Sequence, residues 1–468
     1  MTERNVDVAI IGTGSAGLFA LSKVRRATDS FVIINGGELG TTCARVGCMP
    51  SKALIQVAED FSRRHMFERH GIGGHDNLHI KIAHAMEHVR NLRDIFVDKV
   101  LDSSTDNLGD EFIAGYACFV EPTVLDVEGQ IIRARKVIIA TGSRPYLPPA
   151  WSAFGDRVIT TDSLFELEDL PDTLAVIGLG VIGLELGQAL QRMGVAVTGI
   201  DKLNSIGGLH DPVVNQSAID IIGKDFPFWL GHTAEVCEEN GKLRVTCGGN
   251  SVLVDKLLAS LGRVPNLDGL GLDKLGAPLD ARGIPIYNPH TMQVGDLPVF
   301  IAGDVNGDRP ILHEAGDEGR IAGYNATQEH PVAFHRKTPL AITFCDPNIA
   351  TVGAVLSELD AEKIVIGEMR FGPLGRALIM GKNKGVLRVY ADKDSGRLRG
   401  AAMIAPHGEH LAHELAWCIQ LGLTVFDVLQ LPFYHPVIEE GLQAALYDLR
   451  GKISGGPPEP TELQRRDD

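Results

Sequence analysis

The sequence predicts an α/β protein with two Rossmann-like nucleotide-binding units and a C-terminal α+β unit. Three observations carry that expectation. Val6–Ile11 is a short β-branched run that feeds the glycine series Gly12, Gly14, Gly17 and then a helix-compatible stretch, Leu18–Arg26. Leu174–Ile177 does the same with Gly178, Gly180, Gly183 and a helix through Met193, so the motif occurs twice. The chain is 468 residues long, room for roughly three domains at about 100–200 residues each.

Each βαβ unit closes on a second strand. Phe31–Ile34 ends at Asn35, and Val195–Ile200 ends at Asp201; each end residue lies 18 positions after its last fingerprint glycine. In such a unit the first glycine permits the tight turn, the second lets backbone approach a pyrophosphate, and the third lets helix and strand pack closely. The helix N-terminus supplies N–H groups to the phosphates. Two copies imply a flavin plus a nicotinamide cofactor, or one cofactor and a degenerate duplicate. Between the copies, Ser51–Leu101 reads as a long helical region, and Phe112–Arg135 as short strands turning near Glu128-Gly129, leading into Lys136–Ala140. Pro145, Pro148 and Pro149 mark a connector. Thr291–Asp304 returns to a β pattern; Gly385–Ala402 reads as a hairpin and Glu409–Gln420 as a helix. The tail, 456–468, is expected to be flexible.

Composition narrows the function. A 44% hydrophobic and 22% charged chain is an ordinary globular one, and its 53 glycines exceed the usual fraction of about 7%. The formal charge of −16 disfavours nucleic acid and anionic membranes. Glu3, Asp7 and the early glycines do not suit a signal peptide. The most apolar internal window, Leu174–Leu190, contains Glu185 and falls short of a membrane span of about 20 residues. Of 7 cysteines, Cys118, Cys237, Cys247, Cys345 and Cys418 are scattered without a framework, which suits a reducing, cytoplasmic setting.

Cys43 and Cys48 stand apart, within the segment Gly40–Lys52 just after the first βαβ unit. A zinc site needs two more suitably spaced ligands, which are absent nearby, so no metal is expected. Two readings remain: buried structural thiols, or a redox disulfide whose thiolate is stabilised at a helix N-terminus.

The chain resembles the flavin-dependent pyridine nucleotide–disulfide oxidoreductases, and within them most the dihydrolipoamide dehydrogenase branch. The family pattern G-G-T-C-x-N-x-G-C-x-P-S-K is matched except at Thr41 and Arg45. Further matches follow in order: Ala140-Thr141-Gly142 with Arg144-Pro145; Gly178–Glu185; Gly262–Asn266; Ala302-Gly303-Asp304; and His435-Pro436 with Glu440.

That resemblance implies FAD and NAD as cofactors and a homodimer. It makes Cys43 the interchange thiol, Cys48 the thiol beside the flavin, His435 the acid–base residue acting on the other subunit's disulfide, and Glu440 the group that orients it. FAD would be held by Gly12, Gly14, Gly17, Asn35, Thr42, Lys52, Thr141, Gly142, Asp304 and His313. NAD would be held by Gly178, Gly180, Gly183, Glu185, Asp201 and Gly262. Lys52 and Glu185 would pair near the flavin. Asp201 can bind a ribose diol and would repel a 2′-phosphate, which favours NAD(H) over NADP(H) despite Lys202. The implied domains are FAD-binding, 1–145 and 271–338; NAD-binding, 146–270; and dimerisation, 339–455.

Three departures bear on function. Asn35 replaces a frequent Glu, losing a charge-assisted bond, with Glu38 as the nearest compensating carboxylate; Phe433 replaces a frequent His; Asn348 replaces a frequent Glu. The expected activity is oxidation of a protein-bound dihydrolipoyl dithiol by NAD+, the partner being a lipoyl-bearing carrier or a small dithiol. The alternatives are an NAD(P)H-dependent reductase of another small disulfide, such as glutathione, and a non-enzymatic redox sensor. Ser51 before Lys52 and Asp201 count against a glutathione reductase. The C-terminus lacks the cysteines of mercuric or large thioredoxin reductases, and a transhydrogenase would not need Cys43 and Cys48.

Overall fold

Near-continuous apolar runs make strands buried on both faces, the condition for a parallel sheet. In the computed structural model, which describes residues 3–453 and Leu463, Glu3–Ile11 pairs in parallel with Phe31–Asn35 on one side and Gln130–Ile139 on the other. Phe112–Ala114 extends the first edge and Val299–Ile301 joins the C-terminal half of Gln130–Ile139, all parallel. The N-terminal half of that long strand pairs on this side with the antiparallel strand Val124–Val127, which in turn pairs with Ala117–Glu121.

The second unit repeats the plan. Phe228–Leu230, Ala196–Asp201, Thr173–Ile177, Lys256–Ala259 and Val158–Ile159 form a parallel sheet in that order, beside a three-stranded antiparallel meander over 235–254. Strands Ser143–Pro145 and Arg263–Pro265 pair antiparallel where the chain passes between the units.

The glycine turns of the two units are nearly superposable in their crowding. A Cβ on Gly12 would lie 2.3 Å from the Ala140 carbonyl oxygen, and one on Gly178 would lie 2.2 Å from that of Ser260, with φ of +110° and +96°. A Cβ on Gly17 or Gly183 would lie 1.9 Å from the oxygen of Gly12 or Gly178 respectively. No larger residue fits these four positions without moving backbone.

The C-terminal unit is an antiparallel sheet, ordered Leu340–Thr343, Asn348–Gly353, Leu398–Ala405, Val386–Asp392, Ile364–Arg370. Helices Gly408–Gln420, Val425–Leu429 and Glu440–Lys452 cover it, and Leu387, Val389, Met403, Leu411, Leu415, Leu446 and Leu449 form its core. The hairpin and first helix lie where the sequence places them.

Two expectations need correction. The region 51–101 is two helices, Cys48–Ser62 and Ile82–Ser103, separated by short 3-10 turns. Gly71 and Gly74 break it, at φ of +73° and +81°, a conformation that cannot continue a right-handed helix. The β pattern over 291–304 reduces to the strand Val299–Ile301, because the preceding residues turn back on themselves through the bridge Gln293–Phe300. The expected tail, 456–468, lies outside the described residues apart from Leu463. Among the described residues, no helix is long and apolar enough to cross a membrane, and no cluster of His, Cys, Asp and Glu could hold a metal ion.

Candidate active site

Cys43 lies on the short helix Thr42–Arg45, and Cys48 opens the 15-residue helix Cys48–Ser62. Gly47 makes the approach possible, since a Cβ there would lie 3.0 Å from the Thr42 carbonyl oxygen and 3.2 Å from the Cys43 Cα. Both cysteines are free thiols, and they are hydrogen-bonded to each other. They titrate differently. Cys48 is lowered from an ordinary 9.0 to about 7, by the bond from Cys43 first, against burial, with Lys52 and a backbone N–H assisting. Cys43 is pushed well up, by its bond to Cys48 first and then by burial. In the reduced pair Cys48 is thus the thiol favoured for ionisation, and Cys43 the one favoured to keep its proton. Lys52 stands one helical turn beyond Cys48, so its charge is on the same face.

The two departures in this loop have structural roles. Thr41 adopts φ of +62°, where the family pattern has Gly, and its hydroxyl caps the short helix by accepting from the Ala44 N–H at 3.2 Å. Arg45 forms an ion pair with Glu38 across the loop, so Glu38 is engaged there rather than at Asn35.

Lys52 reaches across the chain to the second fingerprint helix. Its Nζ donates to Glu185 Oε2 at 2.8 Å and lies 4.7 Å from the centre of the Phe344 ring. Glu185 is only 3% exposed, and its other oxygen accepts from the Phe344 N–H at 2.8 Å. One and two turns further along the same helix, Gln188 binds the backbone of Asp346 through both its amide atoms, at 2.8 and 3.0 Å, and Arg192 pairs with the Asp346 carboxylate at 3.3 Å. Glu185, one of the expected NAD contacts, thus has one donor on each oxygen, Lys52 and the Phe344 N–H.

The first glycine turn leaves open backbone where a pyrophosphate would lie. A Cβ on Gly14 would meet only the Ala140 oxygen, at 4.0 Å, and one on Gly142 would meet nothing within 4 Å. Asp304 faces the same end of the sheet, where its Oδ2 accepts from the Ser143 hydroxyl at 2.6 Å and lies 3.6 Å from Arg263. Thr141 and Asn266 exchange hydrogen bonds at 2.7 and 2.9 Å, which ties this turn to the strand Arg263–Pro265. Thr42 and His313 are exposed, the latter in the first turn of the helix Leu312–Asn325. Ser143 and Arg263 were not among the expected site residues; only the Gly262–Asn266 motif pointed towards them.

The two strand-end residues act alike. Asn35 Oδ1 accepts from the Thr13 N–H at 3.3 Å, while Asp201 Oδ2 accepts from the Leu179 N–H at 2.6 Å and its Oδ1 from Leu203 N–H at 2.8 Å. The shorter contacts belong to the charged acceptor. Gly180 and Gly262 are open, with nothing within 4 Å of an added Cβ.

His435 and Glu440 are together in the C-terminal unit, Nδ1 to Oε1 at 2.8 Å, and the second Glu440 oxygen accepts from the Val437 N–H at 3.1 Å. The bond from His435 holds the Glu440 carboxyl below its usual range. The His435 side chain is 81% exposed, which leaves Nε2 facing outward. Among the described residues, no hydrogen bond or ion pair joins this dyad to the cysteine pair of the same chain. Asn348 braces its own turn, donating to the Cys345 carbonyl at 2.8 Å, and Phe433 packs on the C-terminal core.

Two family models match this architecture: "Pyridine nucleotide-disulphide oxidoreductase" over residues 6–322 and that family's dimerisation domain over residues 340–446. The chain belongs to the pyridine nucleotide-disulphide oxidoreductases. Its cofactors are accordingly FAD and NAD(H), and its C-terminal unit is the family's dimerisation domain. Among curated relatives, Dihydrolipoyl dehydrogenase 3 of Haloarcula marismortui is 28% identical, over 96% of this chain and 97% of its own. The dihydrolipoyl dehydrogenase of Thermus scotoductus is 30% identical, over 94% and 97%. Among solved structures, LpdA of Mycobacterium tuberculosis superposes with a TM-score of 0.83 at 23% identity, covering 96% of this chain and 99% of that one. The HOCl-induced flavoprotein disulfide reductase RclA of Escherichia coli, as its Cu(II) complex, gives 0.82 at 21%, covering 95% and 99%. At these identities the structural likenesses speak for the fold.

Proposed function

We propose that the protein is a homodimeric, cytoplasmic dihydrolipoyl dehydrogenase that oxidises a carrier-bound dihydrolipoyl dithiol with NAD+. The reading rests on the cysteine pair brought together across Gly47, with Lys52 one helical turn beyond Cys48 and held by Glu185 at 2.8 Å. Names borne by relatives such as that of Thermus scotoductus point to the substrate.

The residues divide the work. A substrate thiolate attacks Cys43 Sγ of the oxidised pair, forming a mixed disulfide and releasing Cys48 as thiolate. The second substrate thiol gives its proton to His435 Nε2 of the partner subunit, and its thiolate then attacks the substrate sulfur joined to Cys43. That step closes the substrate disulfide and leaves Cys43 and Cys48 reduced by two electrons. Glu440 holds the His435 ring through Nδ1, which leaves Nε2 free to take the proton. FAD, when bound, supplies a two-electron carrier between Cys48 and NAD+. Gly12, Gly14, Gly17, Asn35, Thr42, Lys52, Thr141, Gly142, Asp304 and His313 are its proposed contacts. Gly178, Gly180, Gly183, Asp201 and Gly262 are proposed to seat NAD, with Glu185 holding Lys52 in place.

Steady-state assays test the substrate. Dihydrolipoamide with NAD+ is expected to yield NADH, and glutathione disulfide with NADH to be turned over poorly. If dihydrolipoamide yields no more NADH than a thiol-free blank, the substrate assignment is wrong. Turnover confined to another disulfide would then favour the reductase reading, to which Phe433 lends support.

A further inference from the structure

A charged cluster beside the FAD cradle is not used by this chemistry. Glu318, on the helix Leu312–Asn325, is 0% exposed. Its Oε2 accepts from the Gly303 N–H at 2.7 Å and from Asn306 Nδ2 at 2.7 Å, and its Oε1 from Arg336 at 2.7 Å. Arg336 also donates to Glu314 at 2.6 Å, and Glu314 is itself buried.

Stability alone is a poor reason for such a cluster. Burial raises the Glu318 pKa against the pull of those donors, and a buried ion pair is often no more stabilising than apolar side chains of the same volume. What the cluster achieves is placement. Gly303 directly precedes Asp304, and it holds φ of +82° with Ala16 beneath it, 2.7 Å from an added Cβ. The helix bearing Glu318 begins at Leu312, beside His313, and lies directly on the first fingerprint helix. There, a Cβ on Gly319 would sit 2.2 Å from the Ala16 oxygen, and one on Gly323 would sit 2.5 Å from that of Ala20. Glu318 thus joins the Gly303-Asp304 turn to the helix that packs on the pyrophosphate-facing one. Arg336 enters from the connector, four residues before the dimerisation sheet begins at Leu340.

We infer that Glu318 and Arg336 are a positioning pair for FAD, fixing Asp304 and the first turn of the helix Leu312–Asn325 at the flavin end of the cofactor. The inference rests on the proposed contact between Asp304 and FAD. By the same geometry, seating of the connector and seating of the cofactor favour one another.

The test strips the full-length protein of FAD and titrates it back, reading the Kd by flavin fluorescence and the environment by visible circular dichroism. Glu318→Gln and Arg336→Met are each expected to raise the FAD Kd at least tenfold, or about 1.4 kcal/mol, and to reduce the flavin dichroism. NADH affinity of the second unit is expected to be unchanged. Wild-type Kd and dichroism in both variants would overturn the inference, as would a parallel loss of NADH affinity, which would mark a purely structural role. Asp304→Ala separates the underlying reading: unchanged FAD affinity there, with weakened affinity in Glu318→Gln, removes Asp304 as the contact. Weakening by Asp304→Ala alone removes the positioning pair.

Discussion

The hydrogen bond from Cys43 is the first cause of the low pKa at Cys48, so removing that donor should raise it measurably. Cys43→Ser keeps an O–H donor and Cys43→Ala removes it; neither variant can form the disulfide, so both leave Cys48 free. A hydrogen bond to a charged acceptor is worth about 1.5–3 kcal/mol, and 1.36 kcal/mol corresponds to one pH unit. Starting from about 7, the alanine variant should titrate roughly one to two pH units higher, while the serine variant should stay close to 7. The thiolate is present above its pKa, so as pH falls the long-wavelength thiolate–flavin absorbance should disappear earlier in the alanine variant. Iodoacetamide alkylation of Cys48 against pH gives the same midpoint without relying on the flavin. Coincident midpoints in the two variants would refute the bond as the cause. Absence of the absorbance at every pH, with alkylation normal, would remove Cys48 from the flavin.

Other expectations follow from the same geometry. Gly178→Ala should cost about 2–4 kcal/mol through positive φ and overpacking, abolishing reduction by NADH in stopped flow while the protein stays yellow; Gly12→Ala should instead lose FAD, seen after gel filtration. His435→Gln should slow dithiol-driven NADH formation by about 10²–10⁴-fold and leave NADH-driven flavin reduction intact, a split that rapid-reaction traces resolve. Asp201→Asn should raise the NAD+ KM roughly tenfold by losing a charge-assisted bond and narrow the preference over NADP+, measured as the ratio of kcat/KM values. Lys52→Met should leave the Glu185 carboxylate buried with one donor. Because Lys52 itself is partly exposed, the expected loss of thermal stability is modest, about 1–2 kcal/mol by calorimetry.

What the sequence disclosed and what it withheld divide along sequence distance. The glycine spacings, the strand-end residues Asn35 and Asp201, and the Cys43–Cys48 loop are local patterns, readable within some twenty positions, although Gly12 and Gly178 also press on the distant Ala140 and Ser260. Their backbone contacts are accordingly those the motif demands. Lys52 and Glu185 are 133 residues apart, and nothing in composition or periodicity joins them; only the resemblance does. Glu318 and Arg336 were invisible, because acidic and basic residues scattered over a helix and a connector look like a solvated face until the fold buries them. The break at Gly71–Gly74 is masked in the sequence because the flanking helices share a similar charged composition. Asn348, where a Glu is frequent, also donates to the Cys345 carbonyl and so braces its turn, a contact that composition and spacing do not display.

The second fingerprint helix grips its neighbours at three successive turns, through Glu185, Gln188 and Arg192. Swinging the nicotinamide unit outward would strand a buried carboxylate and unmake its bonds to Lys52 and Phe344 together. This molecule is therefore no clamshell. Coenzyme exchange is expected to proceed without that swing, so nicotinamide on- and off-rates should be insensitive to solvent viscosity beyond the diffusive encounter itself.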